Sequence, residues 1–156
     1  MSDVTIVSLP TLIVTAVAHR GPYLDIGRAF ETLFGTLGAR GLMPAAHGRM
    51  IGVFYDDART TAAADLRSAA AVVTTEPIAA AEAPLERIEL AAGRYAVLRH
   101  VGPHAELQGT YDWLFGTWLP RSGETLRDAP SWEEYLNTPM DTLAHELLTD
   151  IHVPLR

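Results

Sequence analysis

No cysteine occurs among the 156 residues. The chain therefore has neither a disulfide framework nor a thiolate for chemistry, which fits a reducing compartment. Basic residues are also scarce: 12 Lys+Arg stand against 19 Asp+Glu, a formal charge of −7. Gripping nucleic-acid phosphates takes a basic face, so direct DNA or RNA binding is not expected. The N-terminus MSDVTIVSLPTLIVTAV has an acid where a signal peptide has basic residues, and Ser, Thr and Pro interrupt its apolar positions. Neither a signal peptide nor a membrane span is expected there. No HExxH, CxxC or paired-His motif implies a metal, and no GxGxxG or P-loop implies a bound nucleotide, so no cofactor is expected. No nucleophile-elbow pattern surrounds any serine. What remains, 48% hydrophobic and 20% charged, is the composition of a soluble globular domain, expected in the cytoplasm as a monomer or homodimer.

What the chain does have is a sentence written twice. Residues 19–36 read HRGPYLDIGRAFETLFGT and residues 100–117 read HVGPHAELQGTYDWLFGT, offset by 81 with seven of eighteen positions identical. Unrelated segments of average composition would share about one. The same register pairs Leu9 with Leu90, Phe54 with Tyr135, Leu66 with Leu147, Ser68 with Thr149 and Val72 with Val153. Two similar helices arising by chance would not keep one offset through flanking strands and loops. The chain is expected to be a single domain of two repeats, about 1–77 and 84–156, linked near residues 78–86.

Each copy reads as strand, strand, helix, strand, strand. VTIVS and LERIEL open the copies; LIVTAVAH and RYAVLRH follow, rich in β-branched and aromatic residues. Gly21-Pro22 and Gly102-Pro103 end those strands, and Pro is pre-organised for a first helical turn. Ile26, Phe30, Leu33, Phe34 and Leu37 then recur at helical spacing, as do Leu107, Tyr111, Leu114, Phe115 and Trp118. RMIGVFYDD and SWEEYLN are the third strands, LRSAAAVVTTE and LLTDIHVPL the fourth. Units of this size are marginal alone. Packed about a pseudo-two-fold axis they share a core and leave a cleft, where small molecules characteristically bind.

HVGPH…YDWLFGTWLPRSG…SWEEYLN…LLTDIHVPL, with IGVFYDD and LRS in the first copy, resembles the GyrI-like family. That family includes a DNA gyrase inhibitory protein and the effector-binding domains of AraC- and MerR-type regulators. The resemblance covers essentially the whole chain. It implies an α+β fold of tandem strand-helix-strand-strand (SHS2) units whose cleft takes bulky, often cationic or aromatic organic molecules. It also implies three outputs: xenobiotic sensing, sequestration or resistance by a small-molecule binder; hydrolysis of cyclopropane-containing or alkylating toxins; or inhibition of DNA gyrase by protein contact. The chain begins in its first strand, so a stand-alone module without a helix-turn-helix domain is expected.

The repeat suggests where a ligand would be served, because a position where one copy departs from the other is not explained by the shared fold. Glu133 stands opposite Gly52 at the constant offset. Glu133 and Tyr135 share one face of their strand; Trp132 takes the other, matched by Ile51, Val53 and Tyr55 in the first copy. The larger apolar set is expected to meet the helices, which would turn Glu133 and Tyr135 into the cleft. The resemblance points the same way: relatives carry an aromatic-Glu-x-Tyr run with its Glu lining the pocket. Ionised, such a carboxylate attracts a cation that stacks on neighbouring rings; desolvated, it becomes a general base near neutral pH, with Tyr135 an orienting donor if the protein is a hydrolase. Ligand-binding candidates are Glu133, Tyr135, Gly52, Phe54 across the axis, Tyr95, and Trp113, which could equally pack the helix. His19 and His100, at equivalent strand ends, are expected to hydrogen bond the turns into the helices.

Overall fold

The computed structural model describes residues 3–42, 46–74 and 82–156. The end of the first repeat at 77 and the start of the linker, residues 78–81, lie outside the described residues. The strands are β1 (Thr5–Leu9), β2 (Leu12–Arg20), β3 (Ala46–Phe54), β4 (Arg67–Thr74), β5 (Leu85–Leu90), β6 (Gly93–Val101), β7 (Ser131–Tyr135) and β8 (Leu148–Leu155). Helix α1 spans Gly27–Ala39. Its counterpart is α2 (Leu107–Trp113), continued by a π-helical turn Leu114–Trp118 and by α3 (Leu119–Ser122).

The fold is α+β: all eight strands join one antiparallel sheet in the order β1-β6-β8-β7-β3-β4-β2-β5. Each repeat's opening strand crosses to the other copy. β1 pairs with β6 and β5 pairs with β2, through the two-residue connections Pro10-Thr11 and Ala91-Ala92. Neither repeat therefore has a complete sheet without its sibling, which accounts for two marginal units making one stable body. At the centre β3 pairs with β7, and Gly52 is the direct cross-strand partner of Glu133. Positions equivalent at the offset of 81 are thus neighbours here, so the pseudo-two-fold axis passes between them.

Both helices start the same way. Gly21 and Gly102 adopt φ of 121° and 130°, a region glycine enters readily, and their N–H groups bond Leu66 and Leu147 carbonyls. His19 and His100 Nε2 each lie 3.2 Å from the Pro22 and Pro103 carbonyls. Helix α1 then buries Leu33 and Leu37 against Val17, Ala70, Val72 and Leu85. Such fully buried leucines contribute about 1.5–3 kcal/mol each. The second helix is irregular because Pro120 has no N–H to offer Gly116. The ladder widens, and Leu119 N–H reaches Leu114 carbonyl five residues back. The first repeat has Ala39 at that position and stays α-helical.

The helices cover only the flanks of one sheet face. α2 and its π turn pack on Ala96, Leu98, Ile151 and Val153, leaving β3 and β7 open between them. The expectation that Ile51, Val53 and Trp132 meet the helices is corrected. They form a separate core on the opposite face with Val14, Ala69, Ala71 and Leu90, because the curled sheet brings strands from both repeats together there. Tyr55 lies beyond the end of β3 and is 40% exposed.

Candidate functional site

Between α1 and α2, above β3 and β7, lies a cavity of about 1140 Å³. Its walls are two equivalent aromatic pairs one helical turn long. Phe30 stacks on Phe34 with ring centroids 6.3 Å apart, and Tyr111 on Phe115 at 6.2 Å. The floor carries Phe54, Glu133 and Tyr135. Because the walls are equivalent, their differences stand out: Phe30 is matched by Tyr111, Phe54 by Tyr135 and Gly52 by Glu133. At these three positions the second repeat has a carboxylate and two hydroxyls where the first repeat has none.

Those additions form one cluster. Tyr111 Oη donates to Glu133 Oε2 at 2.6 Å, and Tyr135 Oη donates to Oε1 at 2.8 Å. Glu133 is 3% exposed. Burial pushes its pKa from the ordinary 4.5 up to about 7, with the two phenol bonds pulling the other way. Burial, and then the carboxylate, raise both phenols well above their ordinary range, so they remain donors. Among the described residues no arginine or histidine pairs with Glu133. Gly52 makes room for the cluster: a Cβ there would lie 2.5 Å from Tyr135 Oη and 3.0 Å from the Phe54 ring. No group of three or more metal-ligating side chains occurs among the described residues, and none of their helices is long and apolar enough to cross a membrane.

The structure thus brings together Glu133, Tyr135, Phe54 and Gly52, but not Trp113 or Tyr95. Trp113 packs against the α2 core, as its position off the Tyr111–Phe115 stripe directs. Tyr95 is corrected from cleft to core. It points to the sheet face away from the helices, where it meets Trp132 edge-on at 5.8 Å and donates to Ala91 carbonyl at 2.6 Å. Sequence reasoning missed Tyr111, whose only signal was one hydroxyl more than Phe30 on a helix stripe that otherwise reads as core. It also missed Tyr23 and His104, equivalent residues that both line the cavity, and Arg59, whose guanidinium sits 4.9 Å over the Phe115 ring. Chemically, the ionised carboxylate can hold a positive charge among rings. Its poised pKa also allows it to accept a proton.

A model of the GyrI-like small molecule binding domain matches residues 2–156. The chain is 33% identical to the probable transcriptional regulator YgiV of Escherichia coli K12 over 153 residues, covering 98% of this chain and 96% of YgiV. Its fold is that of the EcmrR C-terminal domain, with a TM-score of 0.77, 16% identity and coverage of 100% and 98% of the two chains. It is also that of SAV2435 bound to tetraphenylphosphonium, with a TM-score of 0.62, 16% identity and coverage of 99% and 94%.

Proposed function

This chain belongs to the GyrI-like small molecule binding domain family, and on that premise we propose that it holds a bulky aromatic cation between its repeats. In this reading ionised Glu133 faces the positive charge, and Phe30, Phe34, Tyr111 and Phe115 enclose the rest. The output is xenobiotic sensing, sequestration or resistance. One observation carries the reading: a carboxylate 3% exposed, at the floor of an aromatic cavity, held by two neutral donors and, among the described residues, by no cation. Burying an unpaired charge is costly, and a ligand cation both neutralises it and stacks on the rings, each such contact adding about 0.5–2 kcal/mol. The similarity to YgiV supports a regulatory output, and the tetraphenylphosphonium carried by SAV2435 supports the ligand class. Calorimetric titration with tetraphenylphosphonium at about pH 8 tests it. Glu133→Gln should lose at least about tenfold in affinity, about 1.4 kcal/mol; equal affinities would remove the reading.

The pKa of about 7 at Glu133 favours a second reading, hydrolysis of a cyclopropane-containing or alkylating toxin. Glu133 would take a proton from a water whose oxygen bonds the electrophilic carbon. The electron pair of the breaking bond would leave with the departing group, and Tyr135 would orient the carboxylate. Catalysed loss of such a toxin, abolished in folded Glu133→Gln, would put this reading first; loss at the uncatalysed rate would discard it.

A further inference from the structure

The two ends of the cavity are built from equivalent positions, yet they treat a polar side chain differently. At the first end, Tyr23 is occupied. Its hydroxyl donates to the Asp56 carbonyl at 2.7 Å and accepts the Asp56 N–H at 3.1 Å, while its ring meets Phe54 edge-on at 4.8 Å. The equivalent residue at the second end is His104, and its ring meets Tyr135, the equivalent of Phe54, at 5.4 Å. A histidine is shorter than a tyrosine, and His104 makes no matching bond to the Asn137 backbone. Its imidazole has no hydrogen-bond partner among the described residues, although Nε2 is shut away from solvent. His100 shows the contrast four residues earlier, with Thr110 Oγ1 2.8 Å from Nδ1 and the Pro103 carbonyl 3.2 Å from Nε2.

Nε2 is enclosed by protein; the nitrogen open to a ligand is Nδ1, which has no partner among the described residues and is not enclosed, on a ring that lines the cavity. Burial, with His100 nearby, lowers the His104 pKa, so the ring is neutral near pH 7 and offers one donor and one acceptor. Tyr135 stands between His104 and the carboxylate: its ring faces the imidazole and its hydroxyl bonds Glu133. At the first end Tyr23 is satisfied internally, and Phe30 and Phe54 carry no polar atom. We propose that His104 is a second polar anchor of this cavity, hydrogen bonding a neutral amide, carbonyl or hydroxyl group on a ligand whose cationic centre faces Glu133. The ligand is therefore oriented, with its polar substituent toward the second repeat and its apolar lobe toward Tyr23, Phe30 and Phe54. This rests on the cation-binding reading and extends it from a charge to a substitution pattern.

The probes are tetraphenylphosphonium and its three isomers bearing one carbamoyl group, ortho, meta or para, on one ring. At about pH 8 at least one isomer should bind the wild-type protein about tenfold more tightly than the plain cation, the size of one well-made hydrogen bond. In His104→Phe that advantage, taken relative to the same variant's own affinity for the plain cation, should fall to about twofold or less. His104→Gln, which keeps a donor and an acceptor, should restore part of it. Should His104→Phe fold poorly, His104→Tyr, the residue the first repeat already accommodates, should remove the advantage instead. No gain from any isomer, or a gain that survives in His104→Phe and His104→Tyr, overturns the assignment. Undiminished binding of the plain cation to Glu133→Gln would instead sink the underlying reading, so the two failures are distinguishable.

Discussion

Consider Glu133→Gln, which keeps the size of a buried side chain and removes its charge. In the unfolded chain Glu133 titrates near 4.5; in the folded protein burial moves it to about 7. The native state therefore prefers the neutral form. Below the lower value the group is protonated in both states and costs nothing. Between the two, the unfolded chain releases its proton while the native protein keeps it, so stability falls as pH rises. Above about 7 both states are ionised and the full cost is present. Each pKa unit corresponds to about 1.4 kcal/mol, so the cost reaches about 2 kcal/mol at about pH 6 and about 3 kcal/mol at about pH 8. Glutamine resembles the neutral acid and escapes it. Urea unfolding of both proteins from about pH 4 to about pH 8 should show equal stabilities at the acid end and a growing advantage for Glu133→Gln above it. Other titrating groups cancel in the difference. A difference that is flat with pH, or a variant less stable at about pH 8, would refute a desolvated, unpaired carboxylate.

Tyr111→Phe or Tyr135→Phe should push the Glu133 pKa higher still, since both hydroxyls stabilise the ionised form; the pH at which tetraphenylphosphonium affinity half-develops should rise by about one, read by calorimetry. Both variants recreate a residue the first repeat already uses, so they should fold. Gly52→Ala places a methyl 2.5 Å from Tyr135 Oη; it should cost about 1–3 kcal/mol in urea unfolding and weaken cation binding by displacing that hydroxyl. Arg59→Met, matching Met140 in the second repeat, removes the resident cation over Phe115. It should raise affinity for tetraphenylphosphonium about two- to fivefold, the worth of one exposed cation–π contact.

The duplication was legible because its constant offset runs through strands and loops alike, and the Gly-Pro turns and helical stripes follow from local chemistry. Glu133 was legible as an asymmetry. The crossing of β1 and β5 was not, since pairing between distant strands leaves no local mark. Nor was it legible which sheet face the helices cover. Alternation puts Trp132 and Tyr95 opposite Glu133 and Ala96, but only the curl of the sheet decides that Tyr95 is core and Glu133 floor. Tyr111 was hidden for a related reason: on a helix stripe a cavity-lining tyrosine and a core phenylalanine have the same period. His104 lay within the quoted repeat, yet its idle imidazole shows only beside the engaged hydroxyl of Tyr23.

The most direct measurement is a crystal structure with tetraphenylarsonium, whose arsenic can be located by its anomalous scattering. One peak should lie between α1 and α2, beside the Glu133 carboxylate, and it should vanish in Glu133→Gln crystals soaked alongside. A peak elsewhere on the molecule, or the same peak undiminished in the variant, would contradict a buried acid that holds a cation between two halves of one sheet.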